Sequence, residues 1–170
     1  LIYFAGSAVK GNLLEQPLTL ASAVAALPAM VFMLVLGPVE EFGWRGLALP
    51  LLQRRMTPLW ASLGLGAVWG LWHLPAFFLS GTPQSGWGFA PFFIGSIAVS
   101  VIVTPLFNAA RGSILLPALF HFQLNNPLWP DAQPYDTIFF VAAAIIALAL
   151  NWRAMTTDAR SNTHVIPSAR

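Results

Sequence analysis

MTPLWASLGLGAVWGLWHLPAFFLSGTPQSGWGFAPFFIGSIAVSVIVTPLFNAA, residues 56–110, contains no Asp, Glu, Lys or Arg in 55 positions. A transmembrane helix needs about 20 mostly apolar residues. This run alone has room for two, parted at the turn-forming Ser80-Gly81-Thr82-Pro83-Gln84-Ser85-Gly86. Outward from it, further uncharged runs cover 16–39, 112–130 and 137–152. Five apolar segments result: 18–37, 58–79, 89–107, the short 113–125, and 138–152. The first continues across Pro38 into a less apolar stretch that ends near Arg54-Arg55. The joints at 108–112 and 126–134 carry the Gly, Pro and Asn that end helices. Long runs without period-two alternation exclude barrel strands and predict helices. The fold class is therefore all-α: a polytopic integral membrane helical bundle of about five membrane segments.

The composition of the 170 residues agrees. Charged residues are 8% of the chain, against about 25% in a soluble domain. Hydrophobic residues are 57%, and the mean hydropathy is +0.71. A soluble enzyme and a disordered tail are excluded. The net charge of +2 comes from scattered arginines rather than a basic face, so nucleic acid is not a partner. With no cysteine there is no disulfide, thiolate nucleophile or Cys-ligated metal. The chain begins Leu1-Ile2-Tyr3 with no initiator Met, which reads as part of a longer protein with further N-terminal spans. Residues 1–155 read as the membrane-embedded domain and 156–170, including His164, as a polar C-terminal tail.

If the segments alternate across the bilayer, Arg45, Arg54, Arg55, Arg111, Arg153, Arg160 and Arg170 share one side. Lys10, Glu15, Asp131 and Asp136 share the other. The positive-inside rule makes the arginine side and the C-terminus cytoplasmic, as expected of a protein of the plasma (inner) membrane. Trp60 and Trp152 fall at the arginine side, and Trp87 and Trp129 at the opposite one, as interfacial anchors do.

Ionisable groups within membrane segments are costly and therefore candidates for function. They are Glu40, Glu41, His73 and His121, with Arg45 and Asn125 close in sequence. At ~1.5 Å per helical residue, Glu40 lies roughly 21 Å from the arginine side, His73 22 Å, His121 15 Å and Asn125 21 Å. Three segments thus deliver polar groups to one layer. Glu41 and Arg45 are at i and i+4, the spacing of an intrahelical ion pair. Glu40 lies 100° round the helix with no such partner, the condition of a carboxylate free to act as a base. His121 and Asn125, again at i and i+4, share a face. Trp69, one turn before His73, is placed to shield that ring from lipid.

Each group also has a plainer reading. Glu40, Glu41 and Arg45 suit a charged helix end, with Arg45 snorkelling. His73 suits an interfacial histidine bonded to a backbone carbonyl, and His121 with Asn125 suits hydrogen-bond glue between helices. The convergence of all of them on one depth favours a site.

Three motifs carry a family resemblance: Glu40-Glu41-Phe42-Gly43-Trp44-Arg45 (EExxxR), Trp69-Gly70-Leu71-Trp72-His73 (aromatic-xxx-His) and His121-Phe122-Gln123-Leu124-Asn125 (HxxxN). In this order, on successive membrane segments, they resemble the CPBP family of intramembrane proteases. That family is also called the Abi or CAAX amino-terminal protease family. The stretch Leu106-Phe107-Asn108-Ala109-Ala110-Arg111-Gly112-Ser113-Ile114-Leu115-Leu116-Pro117 resembles the family's approach to its last motif. The resemblance spans about residues 29–125, and one departure is Trp69 where Phe is commoner.

The resemblance implies a peptidase whose site is Glu40, Glu41, His73, His121 and Asn125, with Arg45 supporting Glu41. The glutamate at Glu40 would activate water with help from His73, while His121 and Asn125 would meet the oxyanion. An older reading of the family, as metalloproteases, makes Glu40, His73 and His121 ligands of a zinc ion. A metal acidifies its water, whereas a desolvated carboxylate can act without one, so both chemistries stand. The implied partners are the lipid bilayer and a peptide or prenylated protein substrate. Two other classes fit polar groups at depth: a small proton-coupled transporter, and a non-catalytic membrane scaffold or immunity protein. An inverted repeat, usual in transporters, is not visible in the sequence.

Overall fold

The computed structural model describes residues 1–13 and 19–157. Among them every regular element is helical: α1 (Ile2–Lys10), α2 (Leu20–Gly43), α3 (Leu49–Gln53), α4 (Pro58–Trp72), α5 (Phe89–Ala109), α6 (Leu115–Leu124), α7 (Asp136–Leu150) and α8 (Trp152–Thr156). A π-helical turn, Trp44–Ala48, joins α2 to α3, and a 3-10 turn, Leu74–Phe78, continues α4. The polar tail beyond Thr157, with His164, lies outside the described residues.

Residue distribution is inverted relative to a soluble protein. Leu20, Val24, Leu27, Val31, Phe32 and Val35 of α2 are exposed, while Glu41, Arg45, Gln53, Ser62, Ser100, Thr104 and His121 are buried. Hydrocarbon solvates the first set at no cost, and the second set must find partners within the protein. Among the described residues, three helices are long and apolar enough to cross a membrane: Leu20–Gln53, Pro58–Phe78 and Phe89–Ala109. The 10-residue α6 spans ~15 Å and the 15-residue α7 ~22 Å, against a hydrocarbon core of about 30 Å. The fourth and fifth expected segments are thus helical but short.

α4 and α5 form the densest contact because small residues let their backbones approach. A Cβ added at Gly66 would lie 2.7 Å from Ile97 Cα, and one at Gly70 2.8 Å from a Phe93 ring carbon. α7 packs on the other side of α5, and Trp69, Ala98, Val99, Val101, Val103, Phe140, Ala144 and Met155 build one core cluster. Gln53, at the end of α3, and Asn108, near the end of α5, exchange two amide hydrogen bonds of 3.1 Å. They bring the chain at Arg54-Arg55 beside the chain at Arg111. At the opposite end, Lys10 pairs with Asp131 at 2.7 Å. α1, too short to register as a span, is held by that pair and by the Tyr3 hydroxyl, which donates to the Leu124 carbonyl at 3.0 Å.

Candidate active site

Glu40 and Glu41 occupy the last turn of α2. Pro38, two residues before Glu40, has no N–H for the helix ladder and loosens the preceding turn. The π turn follows, closed by the Leu49 N–H bonding to the Trp44 carbonyl. This wider turn eases Pro50, whose ring would meet the Gly46 carbonyl in a regular helix. Single π turns of this kind recur at functional sites.

Glu41 is the ionic centre. Its Oε1 accepts from Arg45 Nη1 at 2.7 Å and lies 2.7 Å from His121 Nδ1. Glu41 and Arg45 are each 1% exposed and His121 4%, so the cluster is shut away from solvent and lipid. The Glu41–Arg45 pair is the one expected from the i, i+4 spacing. The tie from Glu41 to His121 crosses 80 positions of sequence, from α2 to α6. Because a carboxylate only accepts, Nδ1 of His121 carries a proton. Nε2 then donates only when the ring holds both protons.

Glu40 is half-buried, and here the structure corrects the sequence reading of a carboxylate without a partner. Its Oε2 accepts two indole N–H groups, from Trp44 at 3.1 Å and Trp69 at 3.0 Å. Trp44 is the i+4 residue that spacing arguments reserve for charges; here it supplies a neutral donor. Glu40, Val39, Gly43, Trp44, Ala48 and Trp72 line an open cleft of about 310 Å³.

His73 ends α4 as its C-terminal cap, with Pro75 two residues on to stop the helix. Its Nδ1 stands 2.8 Å from the Trp69 carbonyl. A carbonyl only accepts, so Nδ1 bears a proton, and Nε2 is an acceptor when the ring is neutral. Asn125 caps α6, its backbone N–H shared between the His121 and Phe122 carbonyls, and its side chain is exposed. It faces Gly37 of α2: a Cβ there would stand 2.5 Å from Asn125 Nδ2 and 3.1 Å from His121 Cδ2.

Trp69 touches most of these groups. Besides donating to Glu40, its ring meets His73 edge-on at 5.7 Å and His121 at 5.3 Å, and the Arg45 guanidinium lies over it at 5.1 Å. The convergence expected from depth is therefore met through one indole, which the sequence reading kept only as a lipid shield. The short depth estimated for His121 has a simple origin. Residues 111–114 are not helical, with Arg111 and Gly112 at positive φ, so the uniform helical rise assumed from Arg111 to His121 does not hold across them. Trp44, Trp69 and Gly37 were missed as site residues. The signals were present in principle: two tryptophans at helical spacing from Glu40 and His73, and a glycine one turn before Glu40 and Glu41.

Glu40, His73 and His121 are the ligands that a zinc ion would use if the site holds one. Among the described residues no three His, Asp or Glu side chains gather to hold a metal ion. Glu40 Oε2 is occupied by two indoles, and His121 turns Nδ1 to Glu41.

Comparison with known proteins adds to this geometry. A family model described as type II CAAX prenyl endopeptidase Rce1-like matches residues 22–127. A Methanococcus maripaludis protein named CAAX prenyl protease 2 is 34% identical over 133 residues, covering 71% of this chain and 49% of that protein. The chain spans about half the length of this relative. No solved structure matches it.

Proposed function

Because this chain belongs to the Rce1-like type II CAAX prenyl endopeptidase family, we propose that it is an intramembrane endopeptidase acting on a membrane-associated or prenylated peptide substrate. The observation that carries the reading is the contact of one buried indole, Trp69, with Glu40, Arg45, His73 and His121. Three separate helices supply those groups, and lipid would not tolerate them without a purpose.

In the proposed reaction, Glu40 is the general base and removes a proton from water as the water oxygen bonds to the scissile carbonyl carbon. His73, with Nε2 as acceptor, orients the same water. The carbonyl oxygen becomes an oxyanion, met by Asn125 Nδ2–H and by His121 Nε2–H in its doubly protonated form, which Glu41 stabilises. Collapse re-forms the carbonyl and breaks the C–N bond, and the nitrogen leaves as an amine with the proton held by Glu40. Arg45 fixes Glu41 rather than touching substrate. The arginine-rich end is proposed to face the cytoplasm, a reading supported by the Gln53–Asn108 bonds that join the chain ends bearing Arg54, Arg55 and Arg111.

The test is cleavage of a peptide library, including prenylated members, by the protein in lipid nanodiscs beside Glu40→Gln. Removing a general base costs about 10²–10⁴-fold, and a loss of that size with unchanged folding is expected. Equal cleavage by both proteins would overturn the assignment of Glu40. A zinc ion on Glu40, His73 and His121 would require those three to regroup, and a chelator arm in the same assay reads that alternative directly.

A further inference from the structure

A carboxylate has two equivalent oxygens until its surroundings distinguish them. In Glu40 both hydrogen bonds fall on Oε2, at 3.0 and 3.1 Å, and Oε1 has none among the described residues. Bonds to a charged acceptor are stronger than neutral ones, and the low dielectric of a membrane interior strengthens them further. The donors themselves are held. Trp69 is 6% exposed, with His73 and His121 at its edges and Arg45 over its face. Trp44 sits in the π turn with its ring edge-on to Trp72 at 6.4 Å. Trp44 is fixed by the helix that carries Glu40, and Trp69 by the helix that carries His73. Their agreement on one oxygen therefore also links α2 to α4.

We infer that Trp44 and Trp69 are positioning residues that clamp Oε2 of Glu40 and leave Oε1, which carries neither bond, as the one atom that takes the proton from water. The inference rests on Glu40 being the base, as proposed above. An indole N–H donates and never accepts, so the pair cannot compete for that proton. With either N–H removed, the carboxylate turns about its terminal torsion, which is broad for such groups. The base then spends most of its time misaligned.

Trp44→Phe and Trp69→Phe each keep an aromatic ring in place and delete one N–H. In the nanodisc assay each variant is expected to lower kcat by about 10- to 100-fold, the order of a displacement near 1 Å at a reacting group. KM should stay within about twofold, since each Phe keeps the aromatic ring and deletes only the N–H that bonds Glu40. In the Glu40→Gln background the same changes should have no further effect, because no base remains to align. Infrared difference spectra of each protein against its Glu40→Gln counterpart isolate the Glu40 carboxyl band, which should shift in both Phe variants.

If Glu40→Gln abolishes cleavage while both Phe variants keep wild-type kcat, the clamp is wrong and the base stands. If Glu40→Gln cleaves normally, the base is wrong. A carboxyl band unmoved by both substitutions overturns the clamp without reference to activity. That readout also decides the matter if a Phe variant proves unstable in one lipid or the library yields no substrate.

Discussion

Gly37→Ala separates folding from chemistry at a single methyl group. Gly37 sits on α2 against the end of α6, and a Cβ there would lie 2.5 Å from Asn125 Nδ2. Attractive contact for such atoms begins near 3.5 Å, so the amide must retreat by about 1 Å. The closest obstructing atom belongs to an exposed residue, and turning it off its preferred rotamer costs about 1 kcal/mol, while the His121 ring at 3.1 Å need give only a few tenths of an ångström. Replacing glycine by alanine inside a helix returns about 1 kcal/mol. The two nearly cancel, and the melting temperature should move by no more than about 4 °C. Catalysis has no such compensation: displacing a group at the reacting centre by about 1 Å costs about 10²-fold. The assay is kcat/KM in nanodiscs beside thermal unfolding, for Gly37→Ala, Asn125→Ala and the double variant. The double variant should be only slightly slower than Asn125→Ala alone, because the closest clash is with that amide and the His121 ring need yield only a few tenths of an ångström. Wild-type cleavage by Gly37→Ala, or a double variant far below Asn125→Ala, would refute the reasoning.

Other substitutions probe what holds the bundle. Glu41→Gln leaves Arg45 charged and buried, which should cost about 3 kcal/mol; the midpoint of a denaturant titration in detergent reads it, and adding Arg45→Met should recover part of the loss. Gly66→Ala should destabilise by about 1–3 kcal/mol. Its Cβ would press on the Ile97 backbone at 2.7 Å, so no side chain can swing aside as at Gly37; an unchanged midpoint would count against the close α4–α5 packing. Lys10→Ala breaks the exposed pair with Asp131 and should change stability by less than about 1 kcal/mol, measured by the same titration.

The elements that announced themselves in the sequence are those whose signal is local. α4 and α5 were legible from a charge-free run and the turn residues between them, because the energy of entering hydrocarbon depends on composition alone. The Glu41–Arg45 pair was legible because the helical repeat places i and i+4 on one face wherever the helix packs. α1 was not, since nine residues cannot span a bilayer and its anchors, Leu124 and Asp131, lie 121 positions away. The π turn at Trp44–Ala48 has no composition of its own, apart from a proline that a regular helix would carry at a cost.

The departure at Trp69 shows the boundary most sharply. As a sequence difference from Phe it reads as one ring for another, because size and hydrophobicity decide packing against lipid or core. The indole N–H acquires meaning only when an acceptor stands 3.0 Å away, and that acceptor belongs to a different helix. Sequence by itself determined that the chain is a helical membrane protein, which residues are too polar for its depth, and which pairs share a helix face. The tertiary structure alone decided that Glu41 joins His121, that two indoles hold Glu40, and that Gly37 makes room for Asn125. The period of a helix is fixed by backbone geometry, whereas its rotation and distance relative to its neighbours are set by close contacts such as Gly66 on Ile97, which no single segment encodes.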